Sequence, residues 1–332
     1  MIERPRKKWG KQMKKKGKLV IGTTMILLFA AGFAVLRNDH FVQEETQEST
    51  AQTESDAQAE EVAQTASMVQ IYVDPSEYDA AIESENDYVS IYQTTSQETV
   101  IGKIHRGSWA TVLSQTEEMV EIQTDDGITG YIEKHSASIQ EVPLSETPKK
   151  LSDFKVVLDA GHGGEDSGAL STDQTIMEKD LTLATVQTIG EVLTQAGIQV
   201  RYTRTEDRYL ALSEITAASL SEEPDLFISI HFDNSELPNS NQGLTTYYYY
   251  TGAKEMAETI TSSLSSSVAL SSNGTRFGNY YVLREQYIPA VLLELGYLNS
   301  DSDLAVITSE GYDQRVAQAL LTAIEEIVEA EE

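Results

Sequence analysis

Lys155–Gly164 reads KVVLDAGHGG, a short β-branched and apolar run that ends in one acid, one histidine and small residues. Such a run is a buried strand reaching the rim of a sheet, where glycines let the backbone turn sharply. Open α/β sheets place their chemistry at such rims. By itself His162 carries little weight, because a histidine flanked by glycine is a common turn residue. Its meaning depends on the residues downstream of it.

From Asp180 onward the chain is a regular alternation of strand and helix patterns. Asp180–Gln195 carries a helical stripe at Leu181, Val186, Ile189, Val192 and Leu193, ended by Gly197. Gln199–Thr203 reads as a second strand, Leu210–Leu220 as a helix stopped before Pro224, and Leu226–His231 as a third strand. That third run is nearly all apolar, which requires burial on both faces. Thr245–Tyr250 and Ala290–Glu294 are further strands, Ala253–Leu264 a helix, and Val316, Leu320, Ile324 and Ile327 one face of a last helix. The pattern predicts an α/β domain over residues 154–330, with a mainly parallel sheet flanked by helices.

Polar residues interrupt this pattern at strand ends. His231 closes the run LFISIH, and Glu294 comes directly after Val291-Leu292-Leu293. A carboxylate at the end of a buried strand is costly unless it is paired, hydrogen-bonded or metal-bound. Glu178 stands at the start of the first helix, where the helix dipole also favours an acid. Two imidazoles and one carboxylate are the ligand set of a catalytic zinc with an open fourth position. A second carboxylate beside it serves as general base and then acid. On this chemistry one acid binds metal and the other stays free.

The stretches DAGHGGEDSGA, MEKDL, TRTED, LFISIHFDNS, GLTTYYY, YYVLR and PAVLLELGYLNS resemble the zinc-dependent N-acetylmuramoyl-L-alanine amidases of the amidase-3 type, in that family's order and spacing. The resemblance covers about Lys155–Glu326. It implies that His162, Glu178 and His231 are the zinc ligands and Glu294 the catalytic glutamate. It also implies hydrolysis of the amide between N-acetylmuramic acid and L-alanine of the peptidoglycan stem peptide, in wall remodelling or daughter-cell separation. Glu214 and Ala218-Ser219 stand where the family often has an Arg and an Ala-Asn pair, and Asp233-Asn234 replaces its familiar Asn. The connection from Phe232 to Gln242 is too short for the plugging helix that some members insert, so the site is expected to be open. Two other readings stay open at this point: a zinc peptidase or deacetylase acting on another amide, and a non-catalytic wall-binding or scaffold protein.

Composition bears on where such an enzyme works. The chain has 332 residues and a formal net charge of −29. Residues 1–40 hold ten Lys/Arg and two Asp/Glu, so the remainder holds 14 and 51. A surface that acidic repels nucleic acid, and no nucleic-acid partner is expected. Cysteine is absent, which excludes disulfides and thiolate metal sites. Residues 1–18 are basic, and Leu19–Leu36 is an uncharged apolar run of 18 residues. That length just spans a bilayer, and the flanking cations place the N-terminus in the cytoplasm. A single-pass anchor is therefore expected, with the catalytic domain outside the membrane. A cleaved signal peptide ending near Ala30-Ala31-Gly32 is the rival, and it would make the protein secreted. Residues 37–67 are a polar, acidic spacer without a core.

Residues 68–143 change to short alternating strands: Tyr88–Tyr92, Ala110–Leu113, Val120–Ile122 and Thr129–Ile132, with a turn at Asp125-Asp126-Gly127. Strands at this spacing predict a small all-β barrel. The stretch IGKIHRGSWATVL…EEMVEIQTDDGITGYI resembles a bacterial SH3 domain, although Ser90-Ile91-Tyr92 and Met119 stand where that family has Asn-Val-Arg and a Trp. A wall-binding role and a plain spacer are both compatible with it. Residues 144–153 read as a linker. The expected partners are peptidoglycan, the cytoplasmic membrane, and a regulatory protein of unknown identity.

Overall fold

In the second half, apolar runs of five to eight residues alternate with longer amphipathic stretches, so sheet and helix can cover one another. The computed structural model describes residues 65–71, 88–143 and 147–330, all within one compact unit. The expected basic segment, the Leu19–Leu36 span and most of the acidic spacer lie outside the described residues. Among the described residues no helix is long and apolar enough to cross a membrane.

The larger sheet contains β8 (Lys155–Ala160), β9 (Gln199–Tyr202), β10 (Leu226–Asp233), β11 (Leu244–Tyr248), β12 (Ser272–Phe277) and β13 (Ala290–Tyr297), in the order β12-β11-β13-β10-β8-β9. The strands β13, β10, β8 and β9 are parallel, and β11 runs antiparallel to β13. The helices are α1 (Glu178–Gln195), α2 (Leu212–Ser221), α3 (Lys254–Ser267), α4 (Tyr281–Arg284), α5 (Asp301–Ile307) and α6 (Tyr312–Glu329). Val156, Leu158, Ile228, Ile230, Val291 and Leu293 face α1, α3 and α6 in the main core. Their neighbours Val157, Phe227, Ala290 and Leu292 face the other way, against Ile215 of α2 and Val282 and Leu283 of α4. Burial on both faces is why LFISI has no polar alternation until Ser229.

That second face carries the chemistry. Asp159 lies opposite Ser229, and His231 opposite Glu294. Because side chains alternate along a strand, Asp159, Ser229, His231 and Glu294 share this face with Val157, Phe227 and Leu292.

Seven antiparallel strands form the smaller sheet: β1 (Thr65–Ile71), β2 (Tyr88–Tyr92), β3 (Val100–His105), β4 (Trp109–Gln115), β5 (Met119–Gln123), β6 (Thr129–Glu133) and β7 (Ala137–Pro143). Their order is β3-β2-β6-β5-β4-β1-β7, around a core of Val69, Ile71, Ile91, Val120, Ile122 and Ile132. Three of these strands, β1, β3 and β7, are not evident in the sequence pattern. β1 begins at Thr65, inside the expected spacer, because Thr65–Ile71 pairs along its whole length with β7. The expected linker is also not free of structure at its end: Leu151 packs on the main core, and Phe154 after it is fully buried.

Candidate active site

The loop after β8 brings His162 to the sheet rim in a left-handed conformation (φ 63°). Its approach to β10 depends on Gly161, since a Cβ there would lie 2.3 Å from Cε1 of His231. Arg204, fully buried just after β9, holds the loop from below. Its Nε donates to the Ala160 carbonyl at 2.8 Å, and its Nη2 to the carbonyls of Gly161 and Lys179 at 2.9 and 3.0 Å. Asp207 closes the bracket, accepting from the Gly164 amide and from Lys179 Nζ, both at 2.7 Å. The TRTED stretch therefore acts as a support for the histidine loop.

Glu178 is the first residue of α1, and its carboxylate is buried under the site. It accepts from the amides of Ala169 and Phe232 at 2.7 and 3.0 Å. One oxygen lies 3.0 Å from His162 Nε2 and the other 2.9 Å from His231 Nδ1. Thus a single carboxylate bridges the two imidazoles, whose rings meet nearly edge-to-face at 4.9 Å and 81°. Asp166 takes the other nitrogen of His162, Nδ1, at 2.8 Å, and is itself held by the Gly168 amide at 3.0 Å.

Electrostatics follow from this geometry. Burial opposes the Glu178 charge, but hydrogen bonds and attraction from His162 and His231 overcome it and hold the carboxyl well below the usual range. Burial likewise opposes charge on His231, yet Glu178 carries it up to about 9. Burial pushes Glu294 up to about 8, with the neighbouring His231 only partly offsetting it. Glu294 Oε2 is enclosed and has no hydrogen-bond partner among the described residues.

The structure brings together all four residues expected from the sequence. His162, Glu178 and His231 offer ligand atoms within 4.8 Å of one another. Glu294 stands beside them on the adjacent strand, in register with His231. The donor set fits a divalent cation: two imidazole nitrogens converge on one carboxylate held ionised, and an ion bound there would displace any proton shared between them. Other contributors do not stand out in the sequence. Asp166 and Gly168 lie in the stretch GHGGEDSGA, and Arg204 in TRTED, where motif position is their only signal. Asp159 is another, accepting from the Thr203 and Ser229 hydroxyls at 2.6 and 2.7 Å beneath the site.

The site opens on a cleft of about 740 Å³ whose walls include Tyr209, Leu212, Tyr280 and Tyr281. No helix interrupts Asn234–Gly243, the connection after β10. A family model described as N-acetylmuramoyl-L-alanine amidase matches residues 156–326, the stretch that builds this sheet and cleft. The chain belongs to the amidase-3 family. Its enzymatic activity is that of an N-acetylmuramoyl-L-alanine amidase. The probable cell wall amidase LytH of Staphylococcus epidermidis is 33% identical over 232 residues, 68% of this chain and 77% of that protein. The catalytic domain of the amidase CwlV from Bacillus (Paenibacillus) polymyxa var. colistinus superposes with a TM-score of 0.51 at 34% identity, covering 53% of this chain and 98% of that domain. An amidase structure from Clostridium difficile 630 gives 0.52 at 31% identity, covering 54% and 98%. Both solved amidases thus correspond to about half of this chain, while the likeness to LytH covers more of it than the 171-residue amidase match.

Proposed function

We propose that this amidase uses a zinc ion held by His162, Glu178 and His231, with Glu294 moving protons, to cleave the bond between muramoyl lactyl groups and L-alanine in peptidoglycan. One observation carries the reading: a buried carboxylate bridges two imidazoles, while a second carboxylate across the strand pair keeps an enclosed, unpartnered oxygen. Two imidazoles and one carboxylate suit zinc among the common divalent ions. When bound, such an ion supplies Lewis acidity to the scissile carbonyl and lowers the pKa of water.

The residues of the chain do the rest. Asp166, on Nδ1, orients the His162 ring so that Nε2 faces Glu178, where the two would share an ion. Glu294 accepts the proton of the attacking water as the new C–O bond forms. It then delivers that proton to the departing nitrogen as the C–N bond breaks, leaving a lactyl carboxylate and a free L-alanine amine. Burial holds the Glu294 carboxyl near 8. Were a cation held by His162, Glu178 and His231, the Glu294 carboxyl would be shifted down from there, toward the range of a general base at neutral pH.

For the remainder of the chain we propose a single-pass anchor at Leu19–Leu36 with the enzyme outside the cytoplasmic membrane, working in wall remodelling. The small sheet is read as a bacterial SH3-like domain; its antiparallel order and the breadth of the likeness to LytH support this. One solved relative, the CwlD amidase of Clostridioides difficile, is in complex with the GerS lipoprotein. A regulatory protein partner is proposed for this chain by analogy.

Digestion of purified peptidoglycan by the full chain, with and without chelator, tests the reaction. Release of intact stem peptides with a free L-alanine amine, abolished by chelator and restored by zinc, is the expected product pattern. Fragments cut within the stem peptide would instead make the enzyme an endopeptidase.

A further inference from the structure

The sheet face that bears Glu294 does not end at the metal-ligating residues. Thr245 of β11 lies opposite Glu294, so alternation puts Tyr247 on the same face, and Tyr249 beyond the strand end packs on that face's hydrophobic cluster. Each carries a second ring. Tyr280, which also walls the catalytic cleft, meets Tyr247 edge-on at 5.1 Å, and Phe277 lies 5.3 Å from Tyr249. From the small sheet, His105 meets Tyr249 at 6.2 Å and Tyr88 at 4.0 Å. The row therefore leads from the cleft to the small sheet, and the chain segment Phe277–Tyr280 joins its two ends.

Its far end is a separate cavity of about 370 Å³, lined by Tyr88, His105, Tyr249 and Phe277 together with Lys103 and Asp126. Phe277 is 57% exposed and Tyr280 40%. Phe277 belongs to neither hydrophobic core of the larger domain, so packing alone does not account for a large apolar ring at the end of an edge strand. Four residues of β11 and its continuation separate the level of Glu294 from Tyr249, about 13 Å at the usual rise.

We propose that this aromatic row is a saccharide-binding subsite for the glycan strand that carries the scissile amide, beyond the unit being cleaved. Sugar rings offer apolar C–H faces that stack on aromatic rings, and hydroxyl rims that suit Lys103 and Asp126 of the cavity and Asn279 beside His105. Asp125 and Asp126 disfavour a polyanion there, which points to the uncharged glycan. The inference rests on the amidase reading, since continuity with the cleft selects a polymer already bound at its muramoyl end. The small sheet, by supplying Tyr88 and His105, then contributes directly to substrate binding.

Kinetics of the full chain on two substrates test this: long glycan strands bearing stem peptides, and a single disaccharide-peptide unit. Phe277→Ala and Tyr88→Ala are each expected to raise KM on long strands about 3- to 10-fold, the worth of one ring contact, with kcat unchanged. Neither is expected to alter the kinetics on the short unit, and Phe277→Trp is expected to retain wild-type KM. Uncharged N-acetylglucosamine oligomers, which offer the same ring faces without a carboxylate, should inhibit wild type more strongly than Phe277→Ala. Equal KM values on long strands for wild type and both alanine variants, or matched losses on both substrates, would overturn the subsite. Failure of the wild type to cleave either substrate would instead strike at the amidase reading.

Discussion

The indole Nε1 of Trp109 donates to the carbonyl of Glu285 at 2.9 Å, a buried hydrogen bond from the small sheet to the segment after α4. The Trp109 amide also donates to the Tyr250 hydroxyl at 2.8 Å, which in turn donates to the Arg284 carbonyl at 2.6 Å. Gln70 reaches the Glu285 carboxylate at 2.7 Å. Since Tyr280–Val282, a few residues earlier, wall the cleft, the small sheet braces the substrate site.

Removing that brace has a measurable cost. Trp109→Phe leaves the buried Glu285 carbonyl without its donor and is expected to lower stability by about 1–3 kcal/mol in denaturant unfolding. Gly107→Ala should cost more than Gly127→Ala. Both glycines have positive φ, 82° and 87°, but a Cβ at Gly107 would lie 1.7 Å from the Glu285 carboxylate, while one at Gly127 meets nothing within 4 Å. Equal losses for the two alanine variants would mean that the contact with Glu285 is immaterial.

Glu294→Gln keeps the shape of the site and removes the proposed proton acceptor. Activity is expected to fall on the order of 10²-fold or more, with the metal content of the purified chain unchanged. A variant as active as wild type would show that Glu294 does not move the proton.

Asp166 is half exposed and contributes little to the core, yet it holds His162 Nδ1. Asp166→Asn is expected to weaken metal affinity about 10- to 100-fold in competition against a chelating dye, while the melting temperature of the metal-free chain changes little. Unchanged affinity would mean that His162 is oriented by its loop alone.

Protonation links the metal-free site to stability. Glu294, raised by burial from 4.5 to about 8, holds a proton in the folded chain that the unfolded chain releases, so stability falls as pH rises between those values. His231, raised by Glu178 from 6.5 to about 9 despite its burial, contributes stability that is complete below 6.5 and lost as pH rises through 9. Both act in the same direction. Denaturation midpoints of chelator-treated protein should therefore fall from about pH 5 to about pH 9, and fall less in Glu294→Gln. Added zinc should raise the midpoints at the alkaline end, because the proposed ion site is assembled only in the folded chain. A flat profile in the chelated protein would contradict these proton affinities.

Much of this enzyme is written locally. The run LFISIHFD could only be a strand covered on both faces, and period-two alternation put His231 on the face of Asp159 and Ser229. The stripe through Val186, Ile189 and Leu193 made α1 equally plain, with Glu178 at its start. Elements without such a pattern stayed hidden. β12 reads SNGTRF and has no buried apolar residue, α4 is one turn long, and β3 places Val100 and Ile101 in solvent. Tertiary structure alone decided how distant pieces meet, because their partners lie far off in the chain. Trp109 finds Glu285 across 176 residues and Glu178 finds His231 across 53, with no local periodicity to announce either pair. Side-chain chemistry determined which groups could act together in an amide hydrolase; the packing of the two sheets decided that its cleft would have a wall braced by the smaller one.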